Sequence, residues 1–240
     1  MPSTRFVSSS KPRELQTDLR AFGDKADPYF CFHTINAYDD GDDIIIDLSA
    51  YDDHSILNAL KLDNMRFPLE YPRGSPKRFL LSKVSSIPKG TIAPAKTVFY
   101  CPKTKLVELP TIHPANYHRK YRYCYGISIG GGPDVVISDQ IIKLDMDHPD
   151  IESAEIHENG SGKVWKEEGC VPGEPIFVPR PGGTEEDDGA VLTVVLDSTL
   201  LRSKLVILDA GSMEEIARAE MRTIFPLGFH GTFVESTSTL

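Results

Sequence analysis

Residues 121–129 constrain the fold more than any other stretch. Tyr121, Tyr123, Tyr125, Ile127 and Ile129 fall on one side of an extended chain, and Arg122, Cys124, Gly126 and Ser128 on the other. Alternation with a period of two is the mark of a β-strand. Comparable short runs recur at 44–51, 79–84, 97–100, 135–144, 152–157, 163–165, 175–178, 190–196 and 205–208, separated by Gly, Pro and Asp turns. Repeated short strands with polar turns predict an all-β fold: a sandwich, a barrel or a propeller. No strict repeat chooses among them. Helix signals are few. Residues 53–60 suit one or two turns. Ser212 and Glu215 read equally as a capping box or as a turn leading into another strand.

A length of 240 residues allows a large core, and we read 1–240 as a single domain. Residues 1–25 and 235–240 are polar and are expected to be poorly ordered, apart from a strand pattern at 4–7. Lys and Arg number 26 against 35 Asp and Glu, a net charge of −9. That balance argues against nucleic acid as a partner. The four cysteines form no CxxC pair, and a protein with free thiols in a reducing compartment is expected. Apolar runs fall far short of the about 20 residues of a membrane span. A cytoplasmic location is expected, and a peripheral membrane contact needs only a small apolar patch.

Two of the seven histidines have unusual surroundings. His33 lies among Tyr29, Phe30, Phe32 and Tyr38, just ahead of an expected strand; His230 lies among Phe229, Gly228, Gly231 and Phe233. An imidazole buried among aromatics must satisfy both ring nitrogens, and a metal on one with an acid on the other does so. Glu108 stands alone in Leu106-Val107-Glu108-Leu109-Pro110, and Glu174 sits in Pro172-Gly173-Glu174-Pro175. Each needs a donor partner, either a backbone turn or such an imidazole. His113 and His118 lack the glutamate of a zincin. Gly130-Gly131-Gly132-Pro133 lacks the lysine of a phosphate loop and reads as a hairpin turn. Glu185-Glu186-Asp187-Asp188 lacks the calcium-loop spacing and reads as a solvated turn, with Arg180 as a partner.

Several of these segments, in order, resemble one family. Phe32-His33-Thr34-Ile35-Asn36-Ala37-Tyr38, Glu174-Pro175-Ile176-Phe177-Val178-Pro179, Glu185-Glu186-Asp187-Asp188-Gly189 and Phe229-His230-Gly231-Thr232-Phe233 are similar to motifs of the carotenoid cleavage oxygenases. The resemblance implies a seven-bladed β-propeller with a non-haem Fe(II) held by four histidines, three of them oriented by glutamates. Carried over by motif, His33 and His230 resemble two of the ligands. Glu108 resembles the acid behind His33, and Glu174 the acid behind His230. Phe30, Phe32, Phe229 and Phe233 are candidates for a tunnel lining, with plain core packing as the alternative. The implied reaction is O2-dependent cleavage of a conjugated double bond in an apolar carotenoid or apocarotenoid, or alternatively a stilbene, to carbonyl products. No motif in the chain resembles the other two ligand histidines. The chain is therefore expected to be a C-terminal, incomplete propeller, inactive on its own, with a non-catalytic remnant or interaction module as the competing reading.

Overall fold

The computed structural model describes residues 28–65, 72, 74–88, 95–100, 107–128, 137–147 and 163–234. The expectations at 1–25, 130–133, 152–157 and 235–240 lie outside these residues. Three antiparallel sheets form. The first contains β1 (Phe30–Asp40), β2 (Asp43–Tyr51), β3 (Ser75–Leu81) and β4 (Lys96–Tyr100). The second contains β5 (Glu108–Thr111), β6 (Tyr123–Ser128), β7 (Gln140–Asp145) and β8 (Lys163–Trp165). The third contains β9 (Cys170–Pro172), β10 (Ile176–Pro179), β11 (Gly189–Asp197), β12 (Arg202–Asp209) and β13 (Glu215–Glu220). The first two sheets are simple meanders. In the third, β9 and β10 pair with opposite ends of β11, so its first strand is split at Gly173-Glu174-Pro175. Between β2 and β3, among the described residues, lie two short helices: α1 (Ile56–Ala59), where one or two turns are expected, and α2 (Leu62–Met65), just beyond the expected range.

The sheets stack face to face. Leu109, Tyr125, Ile127, Ile141 and Trp165 of the second sheet pack against Phe177, Val191, Val195, Val206 and Leu208 of the third. The opposite face, with Cys124, Ile142 and Leu144, packs with Ile35, Tyr38 and Ile45 of the first sheet. A third cluster, including Ile44, Leu48 and Phe79, fills the far face of the first sheet. The alternation at 123–128 thus separates two buried faces, because the second sheet lies between two others; Tyr121, expected on the side of Tyr123 and Tyr125, instead packs with Cys124 toward the first sheet, because it precedes β6 and lies outside its pleat. Cys124, Gly126 and Ser128 face protein, and small side chains admit the neighbour.

Polar clamps tie the stack together. Asp47, fully buried, accepts from Arg78 Nε at 2.8 Å and Nη2 at 2.9 Å and from Tyr121 Oη at 2.6 Å, bridging the first and second sheets. Between the second and third, Tyr125 Oη donates to Ala210 O at 3.0 Å, and Lys143 Nζ donates to Asp187 at 2.6 Å and Gly211 O at 3.1 Å. Glu186 accepts the backbone N–H groups of Arg122 and Tyr123 at 2.8 and 2.7 Å. The acidic turn is therefore a joint between sheets, and Arg180 does lie 3.5 Å from Asp188. One further expectation changes and one open choice is settled. His33 lies inside β1, because the aromatic run before it already pairs with β2. At 209–215 the turn reading holds: Asp209 Oδ1 accepts from Ser212 N at 2.8 Å, and the chain enters β13.

Candidate metal centre

The first strand of each sheet is irregular where it carries a candidate residue. In β1 the register shifts between Cys31 and His33 and again between Thr34 and Asn36. In β5 it shifts between Glu108 and Thr111, where Leu109 adopts φ 48°. The break between β9 and β10 carries Glu174; Gly173 N donates to Val194 O and Thr193 Oγ1 donates to Gly173 O, both at 2.9 Å. Bulges and breaks of this kind re-aim side chains out of the regular pleat.

His33 Nδ1 lies 2.6 Å from Glu108 Oε2. Leu109 N donates to the same oxygen at 3.2 Å. Glu108 Oε1 accepts from Tyr51 Oη at 2.7 Å and has Ser49 Oγ at 3.2 Å; Ser49 Oγ also donates to Val107 O. Burial and the neighbouring carboxylate push the Tyr51 hydroxyl far above its usual range, so it remains a proton donor. His230 Nδ1 lies 3.2 Å from Glu174 Oε1, and Gly231 N donates to Oε2 at 2.6 Å. His230 adopts φ 62°, and a Cβ on Gly231 would lie 2.9 Å from Ile176 Cδ1, so glycine lets this segment lie against β10.

The two imidazoles meet, with ring centres 5.2 Å apart and planes at 64°. In both, an acceptor-only carboxylate faces Nδ1. The proton then sits on Nδ1 and the Nε2 lone pair is free, the form in which imidazole binds a metal. Metal–imidazole bonds of about 2.1 Å place the ring centres of two neighbouring ligands on one ion roughly 4.5–5.3 Å apart. The donor set and spacing fit a shared ion. The two halves differ in shelter: the His33 side chain is 23% exposed and that of His230 is 66% exposed.

Of the candidate tunnel aromatics, Phe32 stands edge-on to Phe30 at 4.8 Å and to Tyr51 at 5.9 Å, and lies 6.2 Å from the His33 ring. Phe229 and Phe233 are exposed beside His230. Ser49 and Tyr51 join the group through Glu108, and neither is among the candidates the sequence offers. Their signal was a polar series, Asp47, Ser49 and Tyr51, along one side of a strand that is otherwise apolar.

His113 is no part of this group; its Nδ1 accepts from Ala115 N at 3.1 Å and caps a short turn. Glu167, Cys170 and Asp197 also cluster with ligand-type atoms. Lys204 Nζ already occupies that cluster, at 2.7 Å from Glu167 and 3.5 Å from Asp197, and its side chain is 2% exposed. The protein supplies its own cation there. Cys31, Cys124 and Cys170 are free thiols. Among the described residues, no helix is long and apolar enough to cross a membrane.

Comparison with known proteins adds to this geometry. Residues 4–235 match the family model described as retinal pigment epithelial membrane protein. The chain is 32% identical to a carotenoid-cleaving dioxygenase of Macaca fascicularis, covering 86% of this chain and 41% of that protein. It is 32% identical to a torulene dioxygenase of Fusarium fujikuroi, covering 84% and 37%. A cobalt-substituted oxygenase structure from Synechocystis superposes with a TM-score of 0.70 at 25% identity, over 89% of this chain and 41% of that one. The chain spans about two-fifths of the length of these relatives. The three stacked sheets are thus part of a seven-bladed β-propeller, and the chain belongs to the retinal pigment epithelial membrane protein family, the carotenoid cleavage oxygenases.

Proposed function

We propose that His33 and His230 are two imidazole ligands of a non-haem Fe(II) centre that cleaves a carotenoid or apocarotenoid double bond with O2, giving two carbonyl products. The observation that carries this reading is the meeting of two rings, 5.2 Å apart, each backed by its own carboxylate. Iron held there would supply the activation of O2. The chain's own residues bind and orient. His33 and His230 offer Nε2, while Glu108 and Glu174 hold the proton on each Nδ1. Phe30 and Phe32 beside His33, with Phe229 and Phe233 beside His230, offer aromatic faces to an elongated apolar substrate. The relatives named for carotenoid and torulene cleavage support a polyene over a stilbene.

Fe(II) sits low in the divalent affinity series and depends on ligand number. Two imidazoles should therefore bind it weakly. Anaerobic titration of the metal-free chain with Fe(II) is expected to show weak binding that H33A and H230A each abolish and H113A leaves alone. Binding that survives both H33A and H230A would overturn the reading. The exposure of His230 favours a second reading, a non-catalytic piece of the fold. Aldehyde products from an apocarotenal incubated with the iron-loaded chain and O2 would exclude it; no turnover by the chain alone is expected.

A further inference from the structure

We propose that Tyr51 is a positioning residue of this centre: its hydroxyl locks the Glu108 carboxylate and thereby fixes the His33 ring with Nδ1–H toward the acid and Nε2 free. This rests on the metal-centre reading and adds a residue outside the ligand–acid pairs. A count of protons singles out Tyr51. Glu108 Oε1 has two hydroxyl neighbours, Tyr51 at 2.7 Å and Ser49 at 3.2 Å. Ser49 has one proton, and its closer acceptor is Val107 O. Tyr51 is therefore the donor that Oε1 relies on. Glu108 Oε2 is shared by His33 Nδ1–H and Leu109 N–H. Without the tyrosine proton, Oε1 is a buried carboxylate oxygen short of a donor, and the carboxylate gains by turning away from His33.

The ring is built into place as well as its hydroxyl. Tyr51 is buried at the end of β2, opposite Phe30 of β1. Phe30 and Phe32 flank its ring at 6.2 and 5.9 Å. On another side Gly74 leaves the room it fills: a Cβ there would lie 2.8 Å from Tyr51 Cζ and 2.9 Å from Cε2. Among the described residues the His230 half has no such device. Glu174 takes a backbone N–H from Gly231 where Glu108 takes a side-chain hydroxyl.

The test uses the full 240-residue chain, metal-free and labelled with 15N-histidine, at neutral pH. Ring 15N shifts report the His33 tautomer, and Co(II) titration reports affinity. The wild type should show His33 as the Nδ1–H form. Y51F should show mixed tautomers and bind Co(II) roughly 10–100-fold more weakly, the usual effect of losing an outer hydrogen-bond partner. G74A keeps the hydroxyl but displaces the ring. It should shift the tautomer the same way, and it carries the test if Y51F does not fold. A folded Y51F with the wild-type tautomer and Co(II) affinity overturns the proposal, as does a mixed tautomer in the wild type. Absence of Co(II) binding by the wild type would instead count against the metal reading, and the tautomer comparison would still decide the role of Tyr51.

Discussion

Gly126 faces the backbone of the acid behind His33. A Cβ there would lie 2.6 Å from Val107 Cγ1 and 2.9 Å from Glu108 O. The carbonyl belongs to the chain that delivers Glu108 and cannot swing aside cheaply. G126A should therefore cost about 1–3 kcal/mol, as overpacked sites do. It should also weaken the His33–Glu108 contact. A urea midpoint and the His33 ring 15N shifts would check both; an unchanged midpoint would show that β5 yields. The same scale shows where sequence reading stops. His33, His230, Glu108 and Glu174 stand out as single polar residues in apolar or glycine-rich settings. Tyr51 shows only as the last of the polar series Asp47, Ser49 and Tyr51, and a tyrosine ending a strand reads as core until its hydroxyl partner is seen.

The joint between the first and second sheets is an element-scale device. Asp47 on β2 receives Arg78 from β3 and Tyr121 from the approach to β6. Y121F leaves a buried carboxylate one donor short and should cost about 1.5–3 kcal/mol. D47N breaks a buried pair and strands the Arg78 charge, so about 3–5 kcal/mol is expected. Urea melts at constant slope would measure both. A Y121F midpoint equal to the wild type would mean that packing, not the clamp, holds these sheets together. Strand positions were largely legible from period and turn residues. The exceptions are β1 around His33, β5 and β9, which are short or bulged, so their period is interrupted where residues are re-aimed.

For the whole molecule, acid sensitivity follows from four carboxyls held below their ordinary values of 3.8 for Asp and 4.5 for Glu. Lys204 lowers Glu167, the Leu200 N–H lowers Asp197, the Ser212 N–H lowers Asp209, and Arg218 lowers Glu215. A depressed folded pKa means that the unfolded chain takes up protons first as pH falls. The stabilisation is complete above the ordinary values and is lost as pH drops through the depressed ones. Thermal midpoints by circular dichroism should fall below about pH 4.5. A midpoint that holds constant well below that would contradict these pairings. All four residues lie in or beside the third sheet, so loss of its signal should lead.

Period, turn residues and ordered motifs in the sequence determined the all-β class, the family and the four residues of the candidate centre, because local patterns and isolated polar groups are written one residue at a time. Tertiary structure alone decided that the second sheet is buried on both faces, how closely the rings at positions 33 and 230 approach, and that Tyr51 and Gly74 stand behind Glu108. Those facts depend on which strands are neighbours and how far each bulge turns a side chain, and neither quantity is local in the chain.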